Sequence, residues 1–158
     1  MGPVQQSRGA VILIAASVVV FDQITKSLAL AQLSPGISRP LLPGLLDLRL
    51  VFNTGAAFSL FTGAASLLGG ISLVVALAVL FWLLRCGPLR FWQGSGVGVL
   101  LGGTIGNGID RWRLGTVTDF LELVPISFPI FNVADVAINL AVFFLLLDLL
   151  RPHGTNQR

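Results

Sequence analysis

Tyrosine is absent from the 158 residues, and cysteine, histidine and lysine occur once each. The lone Cys86 forbids an intramolecular disulfide and any multi-cysteine metal site. The lone His153 follows Arg151 and Pro152 in a polar tail, which leaves zinc hydrolase chemistry and Ser-His or Cys-His pairs almost without material. Charge is scarce as well: 11% of residues are Asp, Glu, Lys or Arg, against about 25% in ordinary soluble domains. The ten basic residues give a net charge of +3 but are dispersed along the chain. Such a spacing builds no phosphate-tracking patch, so no nucleic-acid partner is expected, and the basic excess suits anionic lipid headgroups. This inventory implies no metal and no cofactor.

What the chain does contain is apolar. Hydrophobic residues make up 54% of it, mean hydropathy is +0.89 and there are 18 glycines. That composition excludes a disordered chain, a coiled coil and a typical soluble enzyme. A core of this size cannot absorb so much apolar surface, so the solvent for most of it is lipid. Four stretches approach the length of about 20 residues needed to cross hydrocarbon: 10–33, 64–84, 94–111 and 130–150. The fold class expected is an all-α polytopic membrane protein, a single membrane-embedded domain over residues 1–158 with four transmembrane helices. Asp22 and Lys26 interrupt the first run before Ala29-Leu30-Ala31, which suits a retained helix better than a cleaved signal peptide.

The extracytoplasmic segments are 34–63 and 112–129. Pro35, Pro40, Pro43 and Gly44 break any helix in the first. It then alternates, with Leu46, Leu48, Leu50 and Phe52 on one face and Asp47, Arg49 and Val51 on the other, a small β-strand element between helices 1 and 2. The second segment alternates too, with Val117, Asp119, Leu121 and Leu123 on one face. Both connections follow odd-numbered spans and so share a side. The opposite side holds Arg8, Arg85, Arg90, Arg151 and Arg158, against Arg39, Arg49, Arg111 and Arg113. The positive-inside rule then places both termini in the cytoplasm and the acidic face outside.

Ionisable groups at membrane depth are costly and mark functional sites unless a partner explains them. Asp22 and Lys26 are four residues apart in the favoured order for an intrahelical ion pair. Removing both is therefore expected to harm folding less than removing either. Asp110 is expected to meet Arg113, and Asp148 to meet Arg151. Asp47, Arg49 and Glu122 are expected to be solvated. Asp119, on the apolar side of its segment, and Asp135, on a face with Asn132 and Asn139, are left without a local cation. Two facing carboxyls raise each other's pKa and can share a proton to activate water; the bland alternative is two acids hydrogen-bonded for packing. In the third run Gly94, Gly98, Gly102 and Gly106 recur every four residues, a ridge for close helix contact that brings Asn107 and Arg111 toward the acidic face. Leucine at 102 should push this helix outward, whereas alanine should be mild.

Five boxes occur in order: Asp22-Gln23-Ile24-Thr25-Lys26, Asn53-Thr54-Gly55-Ala56-Ala57-Phe58, residues 102–111 reading GGTIGNGIDR, Val117-Thr118-Asp119-Phe120, and Phe131-Asn132-Val133-Ala134-Asp135. In this order and spacing, over nearly the whole chain, the sequence resembles the bacterial lipoprotein signal peptidases (signal peptidase II). Val136 stands where a serine often follows the aspartate. The resemblance implies a four-helix aspartyl endopeptidase of the bacterial inner membrane, with its site near the periplasmic face. Such an enzyme cleaves diacylglyceryl-modified prolipoproteins just before the lipidated cysteine. It further implies Asp119 and Asp135 as catalytic, inhibition by globomycin, and site support from Asp22, Lys26, Asn53, Gly55, Asn107, Asp110, Arg111 and Asn132. Asn53 and Asn132 could hold either the scissile peptide or the aspartates. Membrane lipids surround the chain, and a monomer is expected. The alternative from another class is a small four-helix proton-coupled transporter, which would show one dominant mid-membrane carboxylate.

Overall fold

The structure, a computed structural model, describes residues 5–55 and 63–151. Ala56, Ala57 and Phe58 of the second sequence box, and His153, lie outside the described residues. The elements run β1 (Gln5–Gln6), α1 (Arg8–Gln32), β2 (Ser38–Leu42), β3 (Leu46–Asn53), α2 (Ala65–Arg85), β4 (Leu89–Arg90), α3 (Phe91–Leu114), β5 (Val117–Leu123) and α4 (Val133–Leu150). The Ser7 hydroxyl caps α1 by accepting the Ala10 N–H at 3.2 Å, and that helix stops short of Pro35. α1, α2 and α4 are long and apolar enough to cross a membrane. Their outward faces carry exposed side chains such as Leu13, Val74 and Leu149. In water such faces would be a liability; against acyl chains they are the expected surface.

α3 differs in kind. Thirteen of its residues are buried, against five in α1, three in α2 and four in α4. It is not among the helices apolar enough to be a candidate span on composition. Its glycines let α1 lie against its backbone. A Cβ at Gly98 would stand 2.8 Å from the Val11 carbonyl oxygen, and one at Gly102 would stand 2.7 Å from that of Ala15. The expected ridge is therefore present and faces α1. A second row, which the four-residue spacing did not reveal, faces α4: a Cβ at Gly103 would lie 2.7 Å from the Ala134 carbonyl oxygen, and one at Gly96 2.8 Å from Leu145 Cγ. Gly115, at φ 70°, ends α3 in the left-handed region and turns the chain straight into β5.

The expectation of an all-α chain with one strand element needs enlarging. β2, β3 and β5 form an antiparallel three-stranded sheet that joins the two long connections. At the opposite end of the helices β1 pairs with β4. Leu48 pairs with Leu121 but Val51 pairs with Asp119, so β3 holds one extra residue, a bulge. Side chains alternate with period two, so the bulge breaks the expected Leu46-to-Phe52 face. Phe52 turns out to solvent, and Asn53 joins the face that carries Asp119.

The close approach at Gly102 also corrects the expectation for alanine. A methyl there would meet Val18 Cβ at 2.6 Å and backbone at 2.7 Å, with no flexible side chain to yield. Gly102→Ala should already destabilise the protein by about 1–3 kcal/mol. Gly70→Ala, on the open face of α2 with nothing within 4 Å of the added methyl, should leave stability unchanged or raise it by up to about 1 kcal/mol. Thermal unfolding in detergent separates the two; equal melting temperatures for both variants would contradict the packing described.

Candidate active site

α4 begins at a capping box. The Asn132 side-chain oxygen accepts the Asp135 N–H at 3.0 Å, and Asp135 Oδ2 accepts the Asn132 N–H at 3.1 Å. The residues before it are tied back to β5 by a bridge in which Phe131 and Leu121 exchange N–H···O bonds of 3.0 and 2.8 Å. That bridge sets the start of α4 beside the strand that carries Asp119. The two acids left over from local charge pairing thus come to line one cleft of about 540 Å³.

Asparagines link the two carboxyls. Asp119 accepts from Asn53 Nδ2 at 3.0 Å and from Asn132 Nδ2 at 2.6 Å. Asn132 Nδ2 also reaches Asn107 Oδ1 at 3.1 Å, and Asn107 Nδ2 donates to Asp135 Oδ1 at 2.8 Å. Asn53 and Asn132 therefore hold an aspartate, one of the two roles left open by the sequence. Asn53 Oδ1 accepts the Gly55 N–H at 2.9 Å, closing a side-chain turn at the end of β3. Arg111 reaches the Gly55 carbonyl at 3.3 Å and presents its guanidinium to the cleft, with a buried Nε that has no partner among the described residues. Burial, and then the neighbouring Asp135 charge, push Asp119 up to about 7, while the Asn53 and Asn132 amides and Lys26 act in the opposite sense.

Of the ten site residues expected from the sequence, Asn53, Asn107, Arg111, Asp119 and Asp135 line the cleft. Asp22, Lys26, Gly55, Asp110 and Asn132 stand behind them. Several local pairings differ from expectation. The Asp22–Lys26 pair forms at 3.0 Å but is not closed on itself, because Lys26 also lies 3.3 Å from Asp110. Asp110 is thus held by Lys26, not Arg113. Removing Asp22 and Lys26 together would leave Asp110 without its cation, so the expected mutual rescue loses its physical basis. Asp148 pairs with Arg90 across the helix bundle rather than with Arg151. Glu122 is not simply solvated; it pairs with Arg49 at 3.0 Å and, with Asp47, accepts from the Ser38 hydroxyl. Contact over long sequence separation decided each case.

Two features escaped sequence reasoning. Gln23 donates to Asp22 at 3.2 Å and to Asp110 at 3.1 Å, and its place next to Asp22 in the first box was the available signal. Residues 128–131 line the cleft with Phe128, Pro129, Ile130 and Phe131, and nothing in their composition announced a wall. Among the described residues no group of His, Cys, Asp or Glu is placed to hold a metal ion.

The family model described as Signal peptidase (SPase) II matches residues 14–151. A lipoprotein signal peptidase of Parasynechococcus marenigrum (strain WH8102) is 60% identical over 136 residues, 86% of each chain. One from Synechococcus sp. (strain RCC307) is 53% identical over 144 residues, 90% of this chain and 95% of that one. A bacterial membrane enzyme solved by the in meso method at 2.3 Å superposes with a TM-score of 0.87 at 28% identity, over 100% of this chain and 97% of that chain. A second, solved at 1.9 Å, gives 0.81 at 30% identity over 92% and 95%. None of these likenesses favours a transporter. With three helices apolar enough to span a bilayer and a family match over most of its length, the chain is a bacterial membrane protein and belongs to the signal peptidase II family of proteases.

Proposed function

We propose that the chain is an aspartic endopeptidase that removes signal peptides from diacylglyceryl-modified prolipoproteins, cleaving before the lipidated cysteine. The observation that carries this reading is the convergence of Asp119 and Asp135 on one cleft, joined through Asn132 and Asn107. One carboxyl, ionised, takes a proton from a water in the cleft as that water attacks the scissile carbonyl. The other, protonated, gives its proton to the leaving amine. Asn53 and Asn132 hold Asp119 in orientation, and Arg111 offers N–H donors to the substrate backbone. The names of the relatives, lipoprotein signal peptidases, support the substrate class.

In this reading α3 is the fourth span of a single membrane-embedded domain. At 24 residues and about 1.5 Å of rise per residue it is long enough. Enclosure by α1, α2 and α4 spares it the apolar surface that lipid would demand. The sheet of β2, β3 and β5 and the aspartates lie at the periplasmic face of the inner membrane, with both termini in the cytoplasm. Arg8, Arg85, Arg90 and Arg151 at the other end support that orientation. The enzyme acts as a monomer, and globomycin occupies the cleft.

Asp119→Asn and Asp135→Asn each keep shape but cannot share the proton, and each turns one of two accepting oxygens into an N–H donor that faces another N–H. Each should lower kcat on a diacylglyceryl-modified prolipoprotein by about 10²–10⁴-fold in a protein that still folds, with a loss of about 1–3 kcal/mol in stability from the apposed N–H groups. Cleavage within a few-fold of the parent in either variant would remove the two-aspartate mechanism. The pH profile gives a further check. The pair must keep one proton in the active form, and Asp119, pushed up to about 7, is a member of it, so kcat/KM should fall on the alkaline side from about that value. The Asn53 amide favours the ionised form of Asp119. Asn53→Ala should therefore raise its pKa and move the alkaline limb to higher pH; movement to lower pH would contradict the contact.

A further inference from the structure

Lys26 is 2% exposed, does not line the cleft, and lies in the interior between α1 and α3. Neutralising its charge would need no more than Asp22, one turn away on the same helix. Yet its ammonium makes three contacts: Asp22 Oδ2 at 3.0 Å, Asp110 Oδ2 at 3.3 Å and Asn107 Oδ1 at 2.9 Å. Three donors meet three acceptors, which fills the capacity of the group.

Each acceptor reaches onward to an element that bears a cleft aspartate. Asp22 Oδ1 accepts the backbone N–H of Ala134 at 2.9 Å, and Ala134 immediately precedes Asp135. Asp110 Oδ2 accepts the backbone N–H of Thr118 at 2.9 Å, and Thr118 immediately precedes Asp119. Asn107, its amide oxygen turned to the ammonium, points its nitrogen at Asp135 Oδ1 at 2.8 Å. The two carboxylates of a buried cluster thus grip the residues next to both members of the pair, and the ammonium ties those carboxylates together, with the Gln23 amide as a weaker, neutral bridge. The structure assigns Lys26 as the positioning residue that sets the spacing of Asp119 and Asp135, acting through Asp22, Asp110 and Asn107. It rests on the two-aspartate reading above. A shift of about 1 Å in groups that must meet one water costs on the order of a hundredfold in rate, so a clamp on both backbones has direct consequence for turnover. Substrate affinity, set by the walls of the cleft, should be largely indifferent to it.

Two variants of the full chain test this, with kcat, KM and melting temperature measured on a diacylglyceryl-modified prolipoprotein. Lys26→Met combined with Asp22→Asn and Asp110→Asn removes all three charges together. It leaves amide oxygens to accept the Ala134 and Thr118 N–H groups, with only the neutral Gln23 amide to bridge residues 22 and 110. Lys26→Arg keeps the charge and replaces a compact three-way donor by a planar fork. Both are expected to fold, with kcat lowered at least tenfold and KM within twofold of the parent. A folded triple variant that keeps kcat within twofold would reduce Lys26 to charge compensation and overturn the proposal. Failure of both variants to fold would assign Lys26 to the core alone, with the same consequence. Asp119→Asn and Asp135→Asn run alongside: cleavage retained there sinks the aspartate pair itself, whereas cleavage lost there but kept in the Lys26 variants sinks only the positioning role.

Discussion

The polar interior of this protein depends on how closely α3 can approach α1 and α4. In lipid the hydrophobic effect does little to hold helices together, so van der Waals packing and interhelical hydrogen bonds must do so. Glycine on two faces of α3 brings its backbone within side-chain reach of both neighbours. At Gly106 the space a Cβ would fill is taken by the Asp22 carboxylate, 2.6 Å from that point. The absent side chain is what makes room for the charge. Packing and electrostatics are therefore one problem: a bulkier helix would separate Asp22, Lys26, Asn107 and Asp110 and leave charges stranded in a medium with no water to receive them.

Around that contact almost every buried polar group has a partner. The amides of Asn53, Asn107 and Asn132 connect acids that are distant in sequence. Asparagine suits the task because it donates and accepts from one short side chain without adding charge. Asn132 caps a helix through its oxygen and holds Asp119 through its nitrogen. Asn53 closes a turn and holds the other side of the same carboxyl. Each asparagine thus couples the local geometry of the backbone to the placement of an acid.

Much of this was legible in the sequence where the relevant period was short. Apolar runs marked the helices to within a few residues, the four-residue glycine spacing marked the ridge toward α1, and charge pairing left Asp119 and Asp135 over. Legibility failed where the partner lay far along the chain. Asp110 has Arg113 within one turn, but Lys26, brought near by the glycine contact, holds it instead. Asp148 behaves likewise with Arg90. The bulge in β3 was invisible because alternation of Leu and polar residues carries no mark of an inserted position, so Phe52 was assigned the place that the chain twists away. The second glycine row was hidden because Gly96 and Gly103 recur at seven, not four. Alanine at Gly102 was expected to be mild because a sequence shows that a residue is small without showing how much space surrounds it.

The capping box at the start of α4 makes the first helical turn and the acid pair a single mechanical unit. Asn132 and Asp135 exchange hydrogen bonds with each other's backbone, and the same two side chains orient or form the pair. Helix ends ordinarily fray at free energies well below that of global unfolding, but here Asn132 and Ala134 are buried, Asp22 holds the Ala134 N–H and Asn107 holds Asp135. Loss of that one turn would release Asp135 from its tether and withdraw the Asn132 amide from Asp119 in the same event. Amide exchange at Asp135, whose N–H is given to the cap, should therefore track the melting of the bundle itself.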